Sequence, residues 1–273
     1  MLFCIFGALA SFIQGEVGIG ISGLVIGFLF SSYGLTMIGA TVIAFIELIN
    51  EKIKVVQTNR YFVRRRGYLK EYIASLEKEF SLIENGFKEE EKRALTDYKS
   101  NDKEYAKNLA FLAYKSGTYQ VRMYGVFLFG YLSEQDDILA FMRDEVSKDD
   151  NWRVQEVLAK AFDEFCKKKG YEKALPIIDE WLKNNNPDTR RAVTEGLRIW
   201  TSRPYFKENP NEAIERIANL KEDASEYVRK SVGNALRDIS KKFPELIKIE
   251  LDSWKLESKE IKQVYKLASK LIV

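Results

Sequence analysis

Apolar and polar positions recur through the second half of the chain with the period of a helical solenoid. Aligning Val121, Val154, Thr189, Val228 and Ile261 gives spacings of 33, 35, 39 and 33 residues, the range of stacked helix-pair repeats. Seven, eight and eleven residues on, the copies read Leu128, Phe129, Leu132; Ala161, Phe162, Phe165; Gly196, Leu197, Trp200; Ala235, Leu236, Ile239; and Ala268, Ser269, Ile272. On a helix these positions share one face with the head residue, so each copy predicts a buried seam. Partner helices are expected over 102–114, 136–146, 172–183, 211–220 and 244–254, with turns at Asp149–Asp150, 184–187, 204–210 and 223–225. No strand pattern appears.

The residue after each head points to a different face. There the copies read Arg122, Gln155, Arg190, Arg229 and Lys262, and the next column reads Met123, Glu156, Arg191, Lys230 and Gln263. Equivalent positions line up along a solenoid, so the first column predicts a basic stripe. Glu156 is the only acid in either column.

Upstream, residues 51–85 read as a long polar helix with Tyr72, Ile73, Leu76 and Phe80 as its apolar stripe, and 88–98 as a shorter helix. Residues 17–46 carry no charge over 30 positions, more than the roughly 20 residues that cross a bilayer. Ser31, Ser32, Tyr33 and Gly34 can turn this run into a hairpin of two short spans. Gly23 and Gly27 have the GxxxG spacing of close membrane helices, although glycine is common in such helices generally. Lys52, Lys54, Arg60 and Arg64 to Arg66 follow, which places that side in the cytoplasm. No basic leader precedes the run, so a secretory signal is not expected. Packing of the segment without anchoring is the competing reading. The expected organisation is an apolar, membrane-spanning segment at 1–50, a basic helical linker with the first helices at 51–100, and a repeat domain at 101–273.

Composition narrows the chemistry. The 273 residues carry a net charge of only +3 and contain no histidine, which excludes a histidine triad and His-ligated zinc. Cys4 and Cys166 give no disulfide framework, consistent with a reducing compartment. No glycine-rich phosphate loop is present. No cofactor and no metal are expected, and the protein is expected to be a monomer.

The sharpest local signal is Asp149, Asp150, Asn151, Trp152, Arg153, Val154, Gln155, Glu156. Trp152 and Glu156 are four apart and overlie one another on a helix, a ring and a carboxylate that together suit a cation. The alternative is that Trp152 packs on a neighbouring repeat and Glu156 pairs with Arg122, Arg153 or Arg191. Farther on, Asp188 is a candidate N-cap for the third head helix, and Arg190 and Arg191 have the chemistry to hold phosphates. A solvated basic face is the bland alternative.

The stretch from Ser225 to Lys241, followed by Pro244, resembles the signature repeat of the AlkC/AlkD family of alkylpurine DNA glycosylases. Arg191 to Arg198 is similar to another of its segments, and Asn151 to Glu156 falls where the family keeps a Trp-x-x-x-acid motif. The likeness covers roughly 70–273. It implies an all-α superhelix of HEAT-like repeats that cradles duplex DNA in a concave basic face and removes cationic N-alkylated purines such as 3-methyladenine and 7-methylguanine. Glu156 then matches the catalytic acid, Trp152 the aromatic that contacts the lesion, and Arg191 an arginine on the DNA backbone. Arg122, Arg153, Arg190, Arg229, Lys230 and Lys262 complete the expected DNA-binding set. Two departures stand out: Glu156 occupies a position that is Asp in the AlkD branch, and Asn234 one where that branch has a second tryptophan. A non-catalytic scaffold for structured DNA or a protein, or a surface adaptor for anionic lipid, is the reading from a different class.

Overall fold

The computed structural model describes residues 32–272, with side chains at 42–56 and from Gly67 onward. The chain forms two compact units, Met1–Gly67 and Tyr68–Val273. Every described element is helical, and the second unit is a stack of helical repeats.

In the first unit the described residues are helical. They form the leading part of α1 (Ser32–Phe80). Ser32, Tyr33 and Gly34 open this helix and do not turn the chain; the stretch contains no proline, and a single glycine costs a helix only about 1 kcal/mol. Among the described residues no helix is long and apolar enough to cross a membrane. The rest of the expected apolar span, with Gly23 and Gly27, lies outside the described residues.

The second unit opens with buried Leu69, Ile73, Leu76 and Phe80 of α1. There follow α2 (Lys88–Ser100), α3 (Lys103–Tyr114), α4 (Tyr119–Leu132), α5 (Asp136–Asp144), α6 (Trp152–Lys169), α7 (Tyr171–Leu182) and α8 (Pro187–Gly196). The chain ends with α9 (Pro204–Glu208), α10 (Pro210–Ala218), α11 (Glu226–Ser240), α12 (Pro244–Asp252) and α13 (Lys259–Ala268). The head helices α4, α6, α8, α11 and α13 each pack on the next. Their head residues Val121, Val154, Thr189, Val228 and Ile261 are all buried, as are the seam residues from Leu128 to Ala268 apart from half-buried Gly196; Ser269 and Ile272 are only partly covered. Burial of this continuous seam is the main stabilising term of such a stack.

The third copy departs from a regular helix. α8 stops at Gly196, whose carbonyl accepts a hydrogen bond from Arg203 Nη2 at 3.0 Å. Trp200 reaches the core through the short 3-10 turn Trp200–Ser202. A β-carbon on Gly196 would overlap the carbonyl oxygen of Ala159, so glycine sets how closely α8 approaches α6. Where a turn is expected at 204–210, two prolines instead open α9 and α10, each supplying the fixed φ that a first helical turn requires.

One core residue works against the fold. Glu90 on α2 is fully buried, and neither carboxylate oxygen has a hydrogen-bond partner. Burial pushes its carboxyl above the ordinary glutamate range. The folded chain therefore keeps this proton to higher pH than the unfolded chain, and stability falls as pH rises above the ordinary value of 4.5. Glu90→Gln is expected to gain on the order of 1 kcal/mol at pH 7 and to flatten the pH dependence of Tm. Thermal melts across that pH range check this, and a variant no more stable than the wild type at pH 7 contradicts it.

Candidate nucleic-acid interface

The loops before the first four head helices are folded by their own side chains. Ser116, Asp149, Asn184 and Asp223 each accept a hydrogen bond from the backbone N–H two residues on, at 2.8 to 3.1 Å. Asn151 then caps α6 by accepting from the Arg153 N–H at 3.0 Å. Asn186 does the same for α8 through the Asp188 N–H. Asp188 is thus not the cap: it follows Pro187 in the first turn of α8, which Asn186 caps.

The first column clamps these loops. Arg122 Nη1 donates to the carbonyls of Ser116 and Gly117, while its Nε and Nη2 fork Asp149 at 2.8 and 3.0 Å. Arg190 Nη1 donates to the carbonyls of Asn184 and Asn185, and its Nε and Nη2 fork Asp223 at 2.6 and 2.7 Å. Arg229 Nη1 holds the carbonyls of Asp223 and Ala224, and its Nε donates to Gln263 at 2.9 Å. Gln155, the uncharged member, still reaches the equivalent carbonyl, that of Asp149, at 2.8 Å. In every case the acceptor lies six residues upstream.

This changes the reading of the basic stripe. At Arg122, Arg190 and Arg229 it is a row of internal clasps, with guanidinium donors engaged by carbonyls and by acceptors on the following repeat. The charges match in register: Arg122 meets Asp149 and Arg190 meets Asp223, while the loop after neutral Gln155 carries neutral Asn184.

Other cations remain toward solvent. Lys262 is exposed, and Arg191 is half-exposed. Lys230 is exposed, bonds Glu226 at 2.7 Å and lies 5.8 Å from the ring of Tyr227. Arg153 stacks between two rings, 4.5 Å from Trp152 and 5.3 Å from Tyr119.

Trp152 is 57% exposed, although it is a large aromatic on the first turn of a well-packed helix. It does not pack into a neighbouring repeat. Glu156, one turn behind, is exposed, and the three arginines that might have neutralised it are elsewhere: Arg122 on Asp149, Arg153 on Trp152, and Arg191 toward solvent. Glu156 lines a cleft of about 340 Å³ together with Phe127, Tyr131, Lys160, Glu195 and Arg203. The exposed indole face of Trp152 and, one turn on, a carboxylate with no ion pair among the described residues can receive a planar cation. Tyr227, 70% exposed on the first turn of α11, is a further aromatic that the repeat alignment passes over because it sits one place ahead of the head residue. Asn234 is half-buried on the same helix.

A family model described as DNA alkylation repair enzyme matches residues 85–259, more than half of the chain. The chain belongs to the DNA alkylation repair enzyme family. A second model, described as a family of unknown function, matches residues 1–54. Among solved structures, AlkD2 from Streptococcus mutans is 82% identical over 75% of this chain and 99% of its own, with a TM-score of 0.74. The smu.31 protein from Streptococcus mutans UA159 is 79% identical over 75% of this chain and all of its own, with a TM-score of 0.73. A predicted DNA alkylation repair enzyme from Enterococcus faecalis, 15% identical with a TM-score of 0.54 over 67% of this chain and 82% of its own, shares the fold. The uncharacterized protein YhaZ from Bacillus subtilis (strain 168) is 38% identical over 87 residues, and the chain spans about a quarter of that relative, 24%.

In this family member the clasp arginines and the solvent-facing cations should respond differently to truncation. Arg190→Ala leaves Asp223, only 4% exposed, without its partner, and is expected to cost about 3 kcal/mol. Arg191→Ala is expected to change stability by less than about 0.5 kcal/mol. Denaturant unfolding of the two variants checks the contrast, and equal losses contradict it.

Proposed function

We propose that this protein repairs alkylated duplex DNA by releasing cationic N-alkylated purines. The observation that carries the proposal is the exposed Trp152 with Glu156 one turn behind it, a cleft-lining carboxylate that has no ion pair among the described residues. N-alkylation places a positive charge on the purine, so the bond from N9 to C1′ is already weakened. As it breaks, its electron pair goes to the departing base, which leaves neutral, and positive charge develops on the sugar. Glu156 sits opposite that charge and lowers the barrier electrostatically. It also orients the water that adds to C1′ and accepts the water's proton. Trp152 offers its ring face to the cationic base.

Arg153, Arg191, Lys230 and Lys262 are the cations we assign to the DNA backbone. Arg122, Arg190 and Arg229 act one step removed, by holding the loops from which the head helices start. The family model described as DNA alkylation repair enzyme, over residues 85–259, supports the coarser reading of alkylation repair.

Full-length protein incubated with methylated duplex DNA is expected to release 3-methyladenine or 7-methylguanine. Glu156→Gln should lower single-turnover release by at least about 100-fold and leave duplex affinity within about threefold, since the carboxylate faces the sugar and not a phosphate. Wild-type protein that binds the duplex and frees no base would replace this reading with that of a non-catalytic DNA-binding scaffold.

A further inference from the structure

We infer that a second group of cations, at the far end of the Glu156 cleft, holds the phosphate backbone of the strand opposite the lesion. This rests on the proposed DNA-binding function and adds a site to it.

Glu156, Lys160, Asp163, Glu164 and Lys167 recur along one face of α6 and line a single cleft. From Glu156 to Lys167 that face runs about 16 Å. Lys167 and Arg203 continue into a second cleft with Lys169, Lys173, Tyr171 and Tyr205. Arg203 also lines a third, with Arg198, Arg237 and Lys241. Shared residues thus make the three clefts one surface.

The sign of the charge shifts along it. Glu91, Glu156, Asp163, Glu164 and Glu195 outnumber the cations Lys160, Lys167 and Arg203 in the first cleft, whereas the second and third clefts carry seven cations against three carboxylates, with Lys167, Arg203 and Glu195 shared between clefts. That balance of +4 exceeds the +3 of the whole chain. Several of these cations are not neutralised. Lys169 and Lys173 are exposed and have no ion pair among the described residues, and Lys167 is 3.8 Å from Glu164 with 71% of its side chain exposed. Asp238 is shared by Arg198, Arg237 and Lys241, at 3.0, 3.8 and 2.8 Å, and Glu195 adds a second, 3.7 Å contact to Arg198.

Trp152 and Lys167 are fifteen residues apart on one helix, about 22 Å, which is about the width of a duplex. Phosphates avoid the acidic floor, so a duplex seated across it is gripped at the two rims. Arg153 and Arg191 take the lesion strand, and the lysines at the end of α6 and the start of α7 take the other.

The test uses full-length protein and a duplex carrying a neutral tetrahydrofuran abasic site. The triple variant Lys167→Ala, Lys169→Ala, Lys173→Ala, all on exposed side chains, is expected to lower the log–log salt slope of binding by about 2 to 3. Replacing three opposite-strand phosphates by neutral methylphosphonates should weaken wild-type binding about tenfold and the triple variant less than about twofold. Methylphosphonates in the lesion strand should weaken both alike. An unchanged salt slope, or equal sensitivity of the two proteins to opposite-strand methylphosphonates, overturns the inference. A wild type that shows the opposite-strand effect yet releases no methylated base refutes excision and leaves this site standing; a wild type that binds no duplex refutes both.

Discussion

The repeat stack depends on a recurring interaction: a guanidinium at the fourth residue of a head helix clasps the loop before that helix, and at Arg122 and Arg190 it also forks the aspartate of the next repeat's loop. The apolar seam supplies most of the driving force for stacking, but burial is non-directional and leaves rotation between repeats weakly specified. A forked Arg–Asp pair is directional. Arg122 to Asp149 and Arg190 to Asp223 fix the register of one helix start against the next. Because Asp149 and Asp223 also fold their own loops by accepting a backbone N–H, a single carboxylate sets both turn and register.

The position of Trp152 and Glu156 follows from that constraint. The Asp149 loop, held by Arg122 from one side and by Gln155 from the other, delivers the chain to the Asn151 cap. Trp152 is then the first helical residue, outside the seam, and Glu156 lies one turn behind it. Arg122 is committed to Asp149 and Arg153 to the rings of Trp152 and Tyr119, and in the proposed function the Glu156 charge is thereby left for a ligand.

Much of this was legible in the sequence. The five head residues are buried where the spacing puts them, as are their seams apart from half-buried Gly196, Ser269 and Ile272, since a 3.6-residue periodicity reports which face a residue occupies. What periodicity does not report is what that face meets. Arg122, Arg190 and Arg229 have the spacing of an outward stripe, yet the carboxylate or amide each one meets lies 27 to 34 residues downstream. The early end of α8 at Gly196 was hidden for the same reason: it requires the Arg203 guanidinium and the Ala159 carbonyl, neither of which is local. The Trp152 and Glu156 pair could be located from spacing and resemblance, but its exposure and lack of neutralisation are facts of packing.

Glu156 as the group that stabilises positive charge at the sugar is the centre of the account. The most direct measurement compares duplexes bearing a cationic pyrrolidine abasic analogue or its neutral tetrahydrofuran counterpart. Wild-type protein should bind the cationic analogue at least about tenfold more tightly, and Glu156→Gln should lose that preference while binding the neutral duplex unchanged. Equal affinity of the wild type for the two duplexes would contradict the role given to Glu156.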